Sequence, residues 1–440
     1  MYQFIFEGYT TDISSNMLSF RYSIKNGAES YHFTETLILP DREVVLISED
    51  LLHSLLQTVH LALGLSYWKT YCPKEIAING YSLTSDEAKF WNTLYTKGLG
   101  EFYYRNSIDF HGLVAFPIDS DKKSKPQPLV KQNRFLAGIG GGKDSILTTE
   151  ILKEHNISFD GFVVETQKSY PLIDTILSSI NTDAVRIKRI IDPQLFSINK
   201  KEGVYNGHVP ISAVYACIGL LASALYGYDG MITSNERSAD YGNVTYLGET
   251  INHQWSKSRE FESMFQTYIH NTITPDLTYF SLLRPYTEYA IVERFSKFPQ
   301  YFSEFSSCNR NFNIIEHDPT PKWCGMCPKC AFVFALLSGF IPKKELTGIF
   351  KTDMYSNPDL IPPFKELLGI SGFKPFECVG TPDEVKLAMA YASEKGEYKG
   401  SPVMELFERE ILPTIDKDAL EKEVTRIDRS VLPEQFQKTV

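Results

Sequence analysis

The chain has 440 residues, which is too long for one ordinary domain and predicts two or three. Hydrophobic residues make up 43% of the chain and aromatic residues 13%, so it can form a sizeable core, and disorder of most of the chain is excluded. The 44 Lys and Arg residues and 54 Asp and Glu residues give a net charge of −10, which disfavours a protein whose whole surface binds nucleic acid. A local basic pocket for an anionic small molecule is compatible with this charge.

Three features predict a cytoplasmic protein. The opening segment MYQFIFEGYT has no basic residues before its apolar run and predicts a strand, not a secretion signal. Polar residues interrupt the apolar stretch at residues 51–68, which predicts an amphipathic helix and no membrane span. The seven cysteines are odd in number and low in density, which disfavours a disulfide scaffold.

The pattern along the chain predicts three regions. Residues 1–130 mix alternating strand patterns with one or two helices, which predicts an N-terminal α+β domain that ends near a charged, proline-bearing linker at residues 119–128. Apolar strands alternate with helices over residues 131–342, and this predicts a doubly wound α/β domain with a parallel sheet and helices on both faces. Residues 343–440 contain helical stretches broken by Gly and Pro and predict a helical C-terminal extension.

A glycine-rich segment, AGIGGGKDS at residues 137–145, joins a predicted strand to a predicted helix. Consecutive glycines allow positive φ angles and a close approach of the backbone to a ligand, and the free amides at the start of a helix favour an anion. Asp144 is a carboxylate suited to Mg²⁺. The alternative is a turn that only tightens strand–helix packing. The residues expected to contact a nucleotide phosphate are Gly138, Gly140, Gly141, Gly142, Lys143 and Ser145.

Two common phosphate loops do not fit this segment. A Walker loop requires Gly at the position of Ala137 and Ser or Thr at that of Asp144, and a dinucleotide fingerprint that starts at Gly138 requires Gly at the position of Lys143. The segment resembles the Ser-Gly-Gly-x-Asp-Ser loop of the PP-loop ATP pyrophosphatases, with Gly140 in place of the first serine. This resemblance implies a PP-loop fold, binding of the pyrophosphate end of ATP, and transfer of AMP to a carboxylate or carbonyl oxygen.

Four of the seven cysteines lie within one short region. Cys324, Cys327 and Cys330 are each separated by two residues, so they can surround one tetrahedral ion with Cys308 as the fourth ligand. Four thiolates favour structural zinc; a redox or iron–sulfur role has less support, and a coincidental cluster of buried cysteines is the remaining alternative. We interpret the other three cysteines as buried packing residues: Cys72, Cys217 and Cys378.

Several polar and aromatic segments accompany these two motifs. They are GLSYWKTYCP (64–73), LYTKGLGEFYYRN (94–106), NGHVP (206–210), SNERSADYGN (234–243), NHQWSKS (252–258) and YFSLLRP (279–285). With GGGKDS and WCGMCPKCAFVF, they resemble the ATP-dependent UDP-N-acetylmuramoyl-L-alanyl-L-glutamate epimerases of certain bacteria, over about residues 64–340. The resemblance implies that the terminal L-Glu of a UDP-linked muramoyl dipeptide is inverted to D-Glu for peptidoglycan synthesis, with release of AMP and diphosphate.

The implied chemistry suits the loop. Attaching AMP to a carboxylate neutralises its charge and makes the α-proton more acidic, so that a base can remove the proton and its return on the opposite face gives the D centre. Besides Lys143 and Asp144, the candidate catalytic residues are His208, His253, Lys257 and Glu236, of which the first three could have pKa values moved near 7 and Glu236 could bind Mg²⁺ or act as a base. The candidate clamps for the anionic substrate are Arg237, Arg259 and Arg284, together with Lys257. Each of these residues, taken singly, also fits a surface charge or a satisfied polar group.

Three other functions remain open at this point. The cysteine cluster beside the loop resembles 7-cyano-7-deazaguanine synthase, although that enzyme resembles only the central region. A PP-loop tRNA-modifying enzyme would also activate a carbonyl, but the net charge of −10 disfavours an RNA substrate. A nucleotide-binding module without turnover would belong to a different class, and the retained Lys143, Asp144 and Ser145 favour turnover over it.

Overall fold

The computed structural model describes residues 2–12, 15–312 and 322–440. Strands predicted from alternating or continuous apolar runs form where they were expected, and short strands follow in the polar region after residue 235. The strands are β1 (Gln3–Asp12), β2 (Met17–Asn26), β3 (Glu29–Ile38), β4 (Glu75–Ile78), β5 (Arg134–Gly138), β6 (Ser158–Thr166), β7 (Ala184–Ile190), β8 (Gly230–Thr233), β9 (Val244–Tyr246), β10 (Glu249–Ile251) and β11 (Thr278–Ser281).

Helices cover both faces of the nine-stranded sheet that most of these strands form, and they make up most of the C-terminal region. Many start at a side-chain cap, as at Thr84 and Thr381, where a capping box satisfies the free amides of the first turn. The helices are α1 (Glu49–Trp68), α2 (Ser85–Lys97), α3 (Gly100–Arg105), α4 (Lys143–Glu154), α5 (Pro171–Ser179), α6 (Pro193–Ile198), α7 (Ile211–Tyr226), α8 (Arg259–Tyr268), α9 (Glu288–Phe295), α10 (Pro328–Ser338), α11 (Lys343–Phe350), α12 (Ile361–Leu367), α13 (Pro382–Glu394), α14 (Pro402–Glu410) and α15 (Lys417–Val424).

Five parallel strands form one part of the large sheet, in the order β11-β8-β5-β6-β7. The chain starts at β5, moves outward through β6 and β7, and then returns to the other side of β5 for β8 and β11. The winding direction therefore reverses between β5 and β8. In open α/β sheets, a ligand crevice forms at such a reversal, outside the carboxyl ends of the strands. The α/β class expected from the sequence is confirmed.

Alternation of side chains along the parallel strands separates the two helical layers. Leu136 and Phe162 belong to the core cluster that contains α1 and α7. Val163, the residue next to Phe162, packs instead with α5, α9 and the buried α10. The helices expected after residue 343 are present and pack mainly around α10. Within the described part of the chain, no helix combines the length and apolar character that crossing a bilayer requires.

The N-terminal strands extend the same sheet and do not form a separate one. The full order is β11-β8-β5-β6-β7-β3-β2-β1-β4, nine strands in all. β3 joins β7 in antiparallel pairing, with Thr36 opposite Ile190. At this seam, Arg189 Nε lies 2.5 Å from Glu35 Oε1, and both side chains are buried. The expected region at residues 1–130 thus shares its sheet with residues 131–342, although the predicted linker at 119–128 contains neither helix nor strand.

Candidate active site

The glycine loop leaves the carboxyl end of β5 and leads directly into α4. Gly141 has φ +78°, which favours glycine, and a Cβ there would lie 3.1 Å from Leu172. Gly142 precedes α4, and no side chain caps this helix start, so the first amides of α4 are available to an anion. A Cβ at Gly140 would meet nothing within 4 Å, which leaves room at the position where the PP-loop pattern has serine.

A cavity of about 300 Å³ lies at the carboxyl ends of β5 and β8, where the winding reverses. Seven residues selected from the sequence line it: Gly138, Gly140, Gly142, Asp144, Ser145, Glu236 and Lys257. Five of them come from the end of β5, the glycine loop and the start of α4, and the other two, Glu236 and Lys257, come from segments that follow β8. Three further chemically active lining residues were not selected from the sequence: Glu288, Lys329 and Cys378.

Lys143 is not among the lining residues, because its side chain turns inward. It is fully buried, its Nζ lies 2.5 Å from Asp144 Oδ1, and it forms an ion pair with Glu288. Burial raises the pKa of Glu288 to about 7 against the opposing charge of Lys143. Burial also acts to raise the pKa of Asp144, but the ammonium groups of Lys143, Lys329 and Lys257 together outweigh it and the pKa is lowered. Asp144 therefore remains an anion. The Lys143 ammonium does not face the cavity, and it instead holds the carboxylates of Asp144 and Glu288 in position from the interior.

Asp144 and Glu236 are the carboxylates that could hold Mg²⁺ here. Both line the cavity, and carboxylate oxygens are the ligands that Mg²⁺ prefers. Burial raises the pKa of Glu236, and the charge of Asp144 acts in the same direction, while Lys257 opposes it. A divalent cation would relieve this repulsion, so the donor set fits the ion expected from the sequence.

The three proposed proton carriers do not have pKa values near 7. Burial lowers the pKa of His208 to about 3. Burial acts to lower the pKa of His253 as well, but Cys378 and Glu101 outweigh it and the pKa rises to about 9. The pKa of Lys257 is raised, because Cys378 and Glu236 outweigh the effect of burial. His253 and Lys257 thus hold their protons at neutral pH, and His208 is uncharged.

His208 and His253 form a cluster with Glu101. Glu101 Oε2 lies 2.5 Å from His253 Nδ1 and 3.2 Å from His208 Nδ1. The same carboxylate group forms an ion pair with Arg105, whose Nε lies 2.6 Å from Glu101 Oε1. This neighbouring cation disfavours a metal ion in the cluster, although the three ligand atoms lie within 4.8 Å of one another. We interpret the cluster as a hydrogen-bonded support for His253.

The structure does not bring the three candidate arginines together in the cavity. Arg284 is buried and pairs with Glu262 at 2.9 Å, and it donates to the carbonyl oxygens of Glu236 and Lys257 at 2.7 and 2.6 Å. It therefore positions two lining segments from behind. Arg237 donates to two carbonyl oxygens of the C-terminal region and lines a separate surface pocket. Arg259 is exposed and lines a different cavity.

That second cavity is larger, at about 860 Å³. It is bordered by the segment that carries Lys257, since Trp255, Ser258 and Arg259 line it. Two of its charged groups, Lys97 and Glu260, pair with each other at 2.6 Å. The smaller cavity at the carboxyl ends of β5 and β8, called the loop cavity below, contains the glycine loop and the buried, converging charges. It is therefore the candidate centre of the chemistry, although its volume is smaller.

The four clustered cysteines converge as their spacing predicted. Their sulfur atoms lie within 4.8 Å of one another, with Cys330 Sγ 3.4 Å from Cys327 Sγ and 3.6 Å from Cys324 Sγ. A tetrahedral zinc ion with Zn–S bonds of about 2.3 Å places its sulfurs about 3.8 Å apart. Cys308 completes the set, and none of the four is in a disulfide. The residues therefore fit the structural zinc expected from the sequence.

We expect the purified protein to contain about one zinc ion per chain, bound by these cysteines. Cys327→Ser should lose the zinc and lower the unfolding midpoint, because Cys327 directly precedes the buried helix α10 and the ion would tie this helix start to Cys308. Metal analysis and thermal unfolding measure both effects. Met326→Ser, an exposed neighbour in the same turn, should retain the metal. Full metal content in Cys327→Ser would contradict the assignment.

The fold and site define an α/β protein with a glycine loop at the winding reversal of its sheet and a four-cysteine metal-type site beside it. The family model described as the MurL N-terminal domain matches residues 1–282, and that described as the MurL C-terminal domain matches residues 304–422. The chain belongs to the MurL family. No solved structure was found to match it.

Three curated relatives, all named UDP-N-acetyl-alpha-D-muramoyl-L-alanyl-L-glutamate epimerase, match nearly the whole chain. The protein of Xanthomonas oryzae pv. oryzae is 37% identical over 94% of this chain and 90% of its own length. The protein of Salinispora tropica is 33% identical over 91% of this chain and 87% of its own length. The protein of a Micromonospora species is 32% identical over 91% and 89%, respectively.

Proposed function

We propose that this protein is an epimerase that inverts the terminal L-Glu of UDP-MurNAc-L-Ala-L-Glu to D-Glu for peptidoglycan synthesis. We further propose that it consumes ATP, forms a carboxyl-adenylate, and releases AMP and diphosphate. The names of the three relatives support the substrate and the inversion. The observation that carries the ATP-dependent part is the uncapped glycine loop, which opens onto a cavity shared with Asp144 and Glu236.

The loop would hold the phosphates of ATP through its backbone. Gly142 and the first turn of α4 present amides without a capping side chain, and Ser145, which donates to the Gly142 carbonyl oxygen at 3.0 Å, keeps this turn closed. Asp144 and Glu236 would hold Mg²⁺, which, when bound, neutralises phosphate charge. Lys143 and Glu288 fix Asp144 in place from the interior. This arrangement resembles that expected of a PP-loop ATP pyrophosphatase.

Activation of the glutamate carboxylate would prepare the α-carbon for proton exchange. A free carboxylate resists loss of the α-proton because a second negative charge would form beside the first, and adenylation removes the first charge. Lys257 and Lys329 line the cavity and can stabilise the negative charge that develops on the acyl oxygen. Arg259, exposed in the larger neighbouring cavity, remains the candidate clamp for the anionic part of the substrate. The cytoplasmic location expected from the sequence remains a prediction.

The test is an assay of the purified protein with UDP-MurNAc-L-Ala-L-Glu, ATP and Mg²⁺. We expect AMP and diphosphate in equal amounts, and D-glutamate after acid hydrolysis, measured by nucleotide chromatography and chiral amino-acid analysis. UDP-MurNAc-L-Ala, which lacks the glutamate, is the matched control and should give no AMP. ADP as the nucleotide product would contradict the adenylate route, and inversion without ATP would contradict the ATP dependence.

A further inference from the structure

One thiol outside the four-cysteine cluster lines the loop cavity. Cys378 Sγ lies 3.2 Å from Lys257 Nζ and 4.0 Å from His253 Nε2, and its side chain is only partly buried. Cys72 and Cys217 are buried in the apolar core, as the sequence suggested, and neither lines this cavity. The interpretation of Cys378 as a packing residue is therefore wrong, because its sulfur faces two cations and open space.

His253 is oriented toward this sulfur by a carboxylate behind it. His253 Nδ1 lies 2.5 Å from Glu101 Oε2, which leaves Nε2 directed at Cys378. Glu101 is in turn fixed by Arg105 at 2.6 Å. A thiol, an imidazole and a carboxylate in this order form the arrangement that holds a reactive cysteine as its thiolate.

The charges around Cys378 favour the thiolate. The charged groups that act on its side chain are mainly cationic: Lys257, His253, Lys329, Lys374 and Glu377. Burial acts to raise the pKa of Cys378, but Lys257 and His253 outweigh it, so the pKa lies well below the usual value of a thiol. Lys329 also donates to the Cys378 carbonyl oxygen, which fixes the backbone of this residue beside the cavity.

We propose that Cys378 is a catalytic residue that carries the glutamyl α-proton on one face of the substrate, with His253 and Glu101 as its positioning residues. The proposal rests on the proposed function and adds to it the proton carrier that His208, His253 and Lys257 do not supply. The cavity places this thiol together with the loop residues that would activate the carboxylate.

The inversion needs a base on one face of the α-carbon, which is Cys378, and an acid on the opposite face. The thiolate sulfur takes the α-proton with its own lone pair, and the C–H electron pair passes to the activated acyl group as an enolate. An acid on the opposite face then donates a proton to the α-carbon, and the enolate electron pair forms the new C–H bond. A water molecule on that face can act as this acid, since Glu236 is assigned to Mg²⁺. The hydroxide that it leaves takes the proton from the Cys378 thiol, which restores the thiolate.

The experiment compares wild-type protein, Cys378→Ala, Cys378→Ser and the control Cys217→Ala in D₂O with UDP-MurNAc-L-Ala-L-Glu, ATP and Mg²⁺. Three quantities are measured: AMP, the D/L ratio of glutamate, and deuterium at the α-carbon. We expect both Cys378 variants to form AMP within about tenfold of wild type while inversion falls by about 10²-fold or more. Cys217→Ala should resemble wild type, because Cys217 lies in the core.

Three outcomes would overturn the role of Cys378. They are normal inversion by Cys378→Ala, an equal loss of AMP formation and inversion in a folded variant, and a substrate mass retained on Cys378, which would make the thiolate an acyl acceptor. Glu101→Gln tests positioning: it should lower kcat more than it changes KM and shift the pH profile of inversion, whereas a merely structural role would leave that profile unmoved.

A measurement without turnover separates this proposal from the proposed function. Iodoacetamide should alkylate Cys378 faster than Cys217 at pH 6, as followed by peptide mass spectrometry, and Lys257→Met should slow the reaction by removing the nearest cation. If wild-type protein forms neither AMP nor D-glutamate, the proposed function and the epimerisation role both fail, even where fast alkylation still identifies the thiolate. Slow alkylation of Cys378 together with normal turnover would overturn the thiolate state of Cys378 and leave the proposed function standing.

Discussion

Asp144→Asn is expected to reduce AMP formation by about 10²–10³-fold while the protein stays cooperatively folded. The amide has nearly the shape of the carboxylate but cannot supply the negative charge that a phosphate-bound Mg²⁺ requires at this position of the cavity. Lys143 would lose one of its two anionic partners and keep the other, Glu288, so the ammonium stays compensated. AMP release under saturating ATP and Mg²⁺, together with an unfolding curve, measures both parts of the prediction.

Asp174→Asn is the matched control for this variant. Asp174 lies on α5, its side chain is 55% exposed, and it forms a surface ion pair with Arg186. We expect its rate of AMP formation to equal that of wild type. Wild-type activity in Asp144→Asn would exclude the glycine loop from the chemistry, and a loss of cooperative unfolding would show that the effect is on folding.

Glu35→Gln should lower the free energy of unfolding by about 3–5 kcal/mol, because it leaves the buried Arg189 guanidinium without a compensating charge. Glu35 and Arg189 are 0% and 2% exposed, and their side chains meet at the seam where β3 pairs with β7. Urea unfolding followed by circular dichroism measures the change. We expect a lower midpoint at an unchanged slope if unfolding remains two-state.

Arg186→Gln provides the control on the same strand. Arg186 is 34% exposed and pairs with Glu165 at 3.0 Å and with Asp174. Pairs of this kind are worth about 0–1 kcal/mol, so its unfolding midpoint should move little. Equal effects of Glu35→Gln and Arg186→Gln would show that burial of the seam pair has no special importance.

The fold was predictable where local pattern and global topology agree. Continuous apolar runs identified β5, β6 and β8, because consecutive residues of these strands are buried on both faces. Alternation of apolar and charged residues identified β7, and helical periodicity identified the connecting helices. The seam between β3 and β7 was not predictable, since antiparallel pairing across about 150 residues leaves no local signal. The charged segment at 119–128 indicated a linker, but not that both of its flanks enter one sheet.

The site was predictable in part for a similar reason. The glycines of the loop lie close together in the sequence, and so do three of the four cysteines. Both the loop and the metal-type cluster could therefore be recognised from spacing alone. Cys378 is separated from its partners His253 and Lys257 by more than a hundred residues, and an isolated cysteine has no distinguishing neighbours. Arg284 was predicted to bind the substrate, but it donates to carbonyl oxygens behind the cavity. The sequence alone does not distinguish an arginine in that position from one that faces the ligand.

The β3–β7 seam limits how this protein can be divided. A fragment that begins at residue 131 would expose the backbone of β7 as a new sheet edge and would leave Arg189 with no opposing carboxylate. Unprotected edges of this kind pair with other chains and promote aggregation. The segment that carries the glycine loop is therefore not an autonomous folding unit, and the β3–β7 pairing holds it against the first 130 residues.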